Sequence, residues 1–118
     1  MKNFILTAIL FCTTLSMAQT WSDDVAQITY DRCSQCHHSG GIAPFELMNY
    51  SQVVASATAI QEAIMHHEMP PNPPDENYES FVHSKALTAT EEATYLAWIT
   101  ANTPEGNSAN TPPPPVFQ

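Results

Sequence analysis

The sequence has 118 residues, with three Lys+Arg against twelve Asp+Glu and a formal net charge of −9. That length holds one small domain, the acid excess excludes a binder of phosphate backbones and disfavours docking on anionic membrane, and 43% hydrophobic residues exclude a wholly disordered chain. Three glycines leave no GxGxxG and no phosphate-cradling loop.

Residues 1–18 read as a signal peptide. Lys2 supplies the positive start, residues 4–12 an apolar run, and Ser16-Met17-Ala18 the small residues that place cleavage before Gln19. The run is shorter than the ~20 residues that span a bilayer, so the chain is membrane-anchored only if it stays uncleaved. Cys12 leaves with the signal, since Phe11 before it does not suit a lipoprotein site.

In the mature chain Ser22 or Asp23 is expected to cap a first helix, with Asp23 and Asp24 complementing its dipole. Val25, Ile28, Thr29, Arg32 and Cys33 recur at helical spacing, so this helix delivers Cys33-Ser34-Gln35-Cys36-His37 at its end. Three readings of that motif compete. A redox disulfide needs a βαβ context, and no convincing strand is present. A zinc site needs four ligands, and no second ligand pair stands at finger spacing. C-x-x-C-H as covalent c-type haem attachment explains the spacing: two thiols on one helical end reach the two vinyl groups of a porphyrin, and the next imidazole is carried under the iron. The export signal and the absence of other mature cysteines favour haem. His38 reads as a solvated neighbour.

Gly40-Gly41 breaks the chain, and Ser51 is expected to cap a second helix. Val53, Ala57, Ile60, Ile64 and His67 form its apolar stripe, and Pro70 is expected to end it. Met69 precedes Pro70-Pro71, whose stiff backbone pre-positions a weak thioether ligand for the sixth iron position. His66, His67 and His83 are rivals, as is an open site; Met65 reads as core or surface and Met48 as a haem contact. Residues 70–84 read as loop. Thr88-Ala89-Thr90-Glu91 is a capping box for a third helix, whose inner face is expected at Leu96 and Ile99 with Tyr95 and Trp98 beside them. Asn102 to Gly106 terminates it, and the rest, through Pro112-Pro113-Pro114-Pro115, favours exposed polyproline II. Phe45, Leu47, Val53, Ile60, Ile64, Phe81, Leu87, Leu96 and Ile99 are the expected apolar lining of a haem that would itself be the core.

Cys33-Ser34-Gln35-Cys36-His37, Ala43-Pro44-Phe45, Met69-Pro70-Pro71, Trp98-Ile99 and Pro104-Glu105-Gly106 together resemble class I c-type cytochromes, and most closely the small bacterial cytochrome-c domains often joined to copper-dependent monooxygenase-like domains. The resemblance spans residues 28–117 and implies an all-α fold: a small three-to-four-helix cytochrome-c domain over 19–103 around one covalent haem c, with Pro-rich loops and a Pro-rich tail over 104–118. By that likeness Cys33 and Cys36 form the thioethers, His37 and Met69 are the axial ligands, and Pro44 sets its carbonyl against the His37 Nδ1–H. It implies a monomeric periplasmic electron carrier rather than an enzyme. Its partners would be redox proteins, a copper-dependent or membrane-bound oxidoreductase among them, and not nucleic acid. The alternative is a haem-based gas sensor or peroxidase-like module with a labile Met ligand. In the copper-domain fusions the Pro-rich stretch leads into another domain, whereas this sequence ends at Gln118, so no copper chemistry is carried over.

Overall fold

The computed structural model describes residues 17–71 and 85–118, and these are helical with no strand among them. The signal-peptide reading therefore falls largely outside the described residues, as do Phe81 and His83. No described helix is long and apolar enough to cross a membrane.

The first helix begins earlier than the sequence suggests. Its cap is Thr20, not Ser22 or Asp23: the Asp23 N–H donates to Thr20 Oγ1 at 3.3 Å, and the Asp24 carboxylate accepts from the Thr20 N–H at 2.7 Å. Trp21–Val25 is a wide π-helical turn, which runs straight into α1 (Ala26–Arg32). The expected second helix is two, α2 (Tyr50–Ala55) and α3 (Ala57–Met65), jointed at Ser56. Asn49 rather than Ser51 caps α2, its side chain accepting from the Gln52 N–H at 3.0 Å. α3 stops before Pro70 can end it. His67 takes a left-handed φ of 53°, its N–H donates to Ile64 O and the Glu68 N–H donates to Ala63 O, the paired bonds of a Schellman stop. His67 thus leaves the apolar stripe and is exposed.

α4 (Ala89–Thr100) opens with the capping box read from the sequence: the Glu91 N–H donates to Thr88 Oγ1 and the Thr88 N–H donates to the Glu91 carboxylate. Its inner face is Tyr95 and Trp98, both fully buried, while Leu96 and Ile99 are only partly so. Two polar handles make that burial affordable. Thr29 Oγ1 donates to Val25 O at 3.0 Å, so the Tyr95 hydroxyl donates to Thr29 Oγ1 at 2.9 Å; Trp98 Nε1–H donates to Pro104 O at 2.9 Å. Trp21 joins them, with ring centroids 6.1 Å from Trp98 and 5.9 Å from Tyr30.

This aromatic cluster is where the start of the first helix meets the residues that follow α4. Three consecutive carbonyls hold the joint. Thr103 O accepts from the Tyr50 hydroxyl, Pro104 O from the Trp21 N–H and Trp98 Nε1–H, and Glu105 O from the Ser22 N–H and hydroxyl. Residues 104–106 therefore belong to the folded domain rather than to a loose tail. Beyond them Asn110 Nδ2–H donates to Asp23 at 2.9 Å, and Phe117 stacks on His38 with centroids 3.9 Å apart, so the Pro-rich segment lies along the domain.

Arg32 and Glu91 tie the end of α1 to the start of α4, with Nη2 to Oε1 at 3.0 Å and Nε to both carboxylate oxygens at 3.2 Å. Burial alone would raise the Glu91 carboxyl, but the Thr88 N–H and the Arg32 guanidinium outweigh it and hold the group below the usual carboxylate range. A depressed folded value means this carboxylate stabilises the fold fully above its unfolded value of about 4.3 and loses that contribution as pH falls through the folded value. Glu91→Gln keeps the capping box and removes the charge. It is expected to lower stability at neutral pH by up to about 1 kcal/mol, and the gap from the parent should close as thermal unfolding is repeated at pH values descending through the carboxylate range. A gap that persists undiminished in acid contradicts the ion pair.

Candidate functional site

The cysteine motif sits where α1 unwinds. The Cys33 and Ser34 N–H groups both donate to Thr29 O, at 2.8 and 3.0 Å, and the Cys36 and His37 N–H groups then donate to Cys33 O at 3.1 and 3.0 Å. This tight turn brings Cys33, Cys36 and His37 together on one helical end, as the spacing predicts. Both thiols are free, Cys33 partly buried and Cys36 exposed. Burial, then the neighbouring Cys36 and Glu91, push the Cys33 thiol up to about 12, so it stays protonated at neutral pH.

His37 is only 8% exposed. Its Nδ1 lies 3.0 Å from a backbone carbonyl, but the carbonyl is that of Phe45. The Pro44 assignment is thus corrected by one residue. The loop is strapped at Ala43, whose N–H donates to Cys36 O at 3.1 Å, and at Leu47, whose N–H donates to His37 O at 2.9 Å; between these straps it is the Phe45 carbonyl that faces the ring, while Pro44 is exposed. A carbonyl only accepts, so Nδ1 carries a proton in this contact and Nε2 is the ring nitrogen left for another partner. Nε2 has no hydrogen-bond partner among the described residues. The Phe45 ring, 44% exposed, leans on the imidazole at a centroid distance of 4.6 Å. It is a cover for His37 rather than a core residue.

Leu47, Val53, Ile60 and Ile64 are buried as expected, and Leu87, Leu96 and Ile99 pack partly buried against them. Met69 lies beyond the Schellman stop, its N–H 3.4 Å from Ala63 O, and is 46% exposed. The structure therefore places it on the α3 exit without enclosing it. Of its rivals, His66 and His67 are exposed and Met65 is 58% exposed. Met48 is partly buried, its N–H donating to Gln52 Oε1. His38 is not merely solvated: its Nδ1–H donates to Ser34 O at 2.8 Å and its ring carries Phe117.

The donor set fits a covalent haem: two unlinked thiols and, on the same turn, an imidazole whose Nε2 has no partner among the described residues. No three His, Cys, Asp or Glu groups, Cys33, Cys36 and His37 included, stand close enough to hold a metal ion by themselves among the described residues. The Phe45 carbonyl escaped sequence reasoning because a backbone acceptor leaves no residue-type signal. Comparison with protein-family models, with curated proteins and with solved structures finds no match to this chain.

Proposed function

We propose that this chain is an exported monohaem c-type cytochrome that carries single electrons between redox partners in the periplasm. The observation that carries the reading is the His37 Nδ1 bond to Phe45 O, which leaves Nε2 ready for iron beside two free thiols. In this reading Cys33 and Cys36 hold the haem through thioethers, His37 is the proximal ligand and Met69 the distal one. Bound this way, a haem supplies a one-electron couple, whose potential a Met ligand raises. The chain's own part is to orient the imidazole through Phe45 O, lay the Phe45 ring against it, and present an acidic surface that steers the protein to less acidic partners.

The half-exposure of Met69 favours a second reading, in which the ligand is labile and the protein is a gas sensor or peroxidase-like module. Carbon monoxide added to the reduced protein separates the two. For a carrier, the parent's spectrum stays unchanged, whereas Met69→Ala binds the gas and lowers the potential. Binding by the parent supports the sensor reading, and a Met69→Ala variant that behaves like the parent removes Met69 from the iron.

A further inference from the structure

Ser34 lies inside the motif but belongs to none of its expected chemistry. It is fully buried, and its hydroxyl is 2.7 Å from Leu47 O and 3.3 Å from Thr29 O. A hydroxyl has one proton to give. Thr29 O already accepts from Cys33 and Ser34 N–H groups, so the shorter contact, to Leu47 O, receives it. Leu47 is thereby held at both its backbone groups, the N–H by His37 O and the carbonyl by Ser34. Two residues upstream is the Phe45 carbonyl that faces Nδ1 of His37. The Phe45 side chain is too exposed to anchor that carbonyl. Its place is set by the straps around it, and Ser34 supplies the side-chain strap that ties them to the motif turn, while the Gln52 amide bonds the Met48 N–H and the Glu46 carboxylate from the α2 side. The serine is keyed in turn, because His38 Nδ1–H donates to its carbonyl.

We propose that Ser34 is a positioning residue for His37: by closing residues 43–47 onto the motif turn through Leu47 O, it fixes the Phe45 carbonyl against Nδ1 and so sets the tautomer and direction of the iron-facing Nε2. This rests on the reading of His37 as proximal ligand and adds a device that reading does not require. A serine serving stability alone would loosen the whole domain when removed. A positioning serine loosens the imidazole first.

The test is hydrogen exchange by NMR on the full protein isolated from an exporting host. The His37 Nδ1–H is compared with the Trp98 Nε1–H, which donates to Pro104 O in the aromatic cluster. The ratio of the two rates cancels any general loss of stability. Ser34→Ala is expected to raise that ratio about tenfold, from the loss of one buried hydrogen bond, and Ser34→Thr, which keeps the hydroxyl, should leave it near the parent's. A ratio unchanged in Ser34→Ala overturns the proposal. If Ser34→Ala does not fold, Ser34→Thr decides alone, a retained ratio supporting the role and a tenfold rise overturning it. The measurement reads protein protons. A chain isolated without haem defeats the cytochrome reading while leaving this outcome legible, and an unchanged ratio in haem-bearing protein defeats only the role of Ser34.

Discussion

Alanine in place of Gly106 is expected to destabilise the protein by about 2–5 kcal/mol, enough to unfold a marginal domain of this size. Two effects add. Gly106 has φ of +76°, a left-handed conformation that a side chain makes costly. A Cβ there would also stand 2.5 Å from Ser22 Oγ, 2.7 Å from Thr20 Cβ and 2.8 Å from Thr20 Oγ1. Those atoms cap the first helix and bond Glu105 O, so relief of the clash pulls apart the joint between the start of that helix and residues 104–106. Gly40 separates the effects. Its φ is +78°, but a Cβ there meets nothing within 4 Å, so Gly40→Ala should cost only the conformational part, about 1–2 kcal/mol. Denaturant unfolding of both variants measures the difference, and equal losses contradict the close packing at residue 106.

Replacing Cys33 and Cys36 together by alanine is expected to abolish covalent haem altogether, since the tight turn holds the only two cysteines of the described residues. His37 keeps its Phe45 partner in that variant, and any haem retained is held by iron ligation alone. Acid–acetone extraction should then carry all the haem into the organic phase. Haem that stays on the polypeptide without both cysteines contradicts the thioether assignment.

Features whose determinants lie close in the chain were legible from sequence. The Thr88 to Glu91 capping box closes within four residues, and the spacing of Cys33, Cys36 and His37 needs one helical turn; both appear as read. Much of what the sequence hid was held by partners outside the local pattern, although the Asn49 cap of α2, closed on Gln52, was missed within three residues. Tyr95 and Trp98 displaced Leu96 and Ile99 from the inner face because Thr29 and Pro104 O satisfy their polar tips, and neither partner is visible in the local pattern. Thr20 took the first cap from Ser22, whose own hydroxyl is committed to Glu105 O. Pro44 lost its assignment to Phe45 by a single residue, because the straps at Ala43 and Leu47 decide which carbonyl faces the ring. The Pro-rich end reads as exposed from composition and is mostly so, but its contacts, Asn110 to Asp23 and Phe117 to His38, leave no local signal. The turn to Met69 was half legible: the prolines marked the exit, but the stop itself is made by His67 in a left-handed conformation.

The claim on which the functional account stands is that Cys33 and Cys36 carry a haem covalently. The most direct measurement is the mass of the denatured parent protein, extracted with acid–acetone after expression in a periplasm equipped for c-type maturation. The account predicts the mass of the chain shortened at Gln19 plus one haem, with the haem absorbance on the polypeptide. A mass without haem, with the pigment in the organic phase or absent, would contradict it.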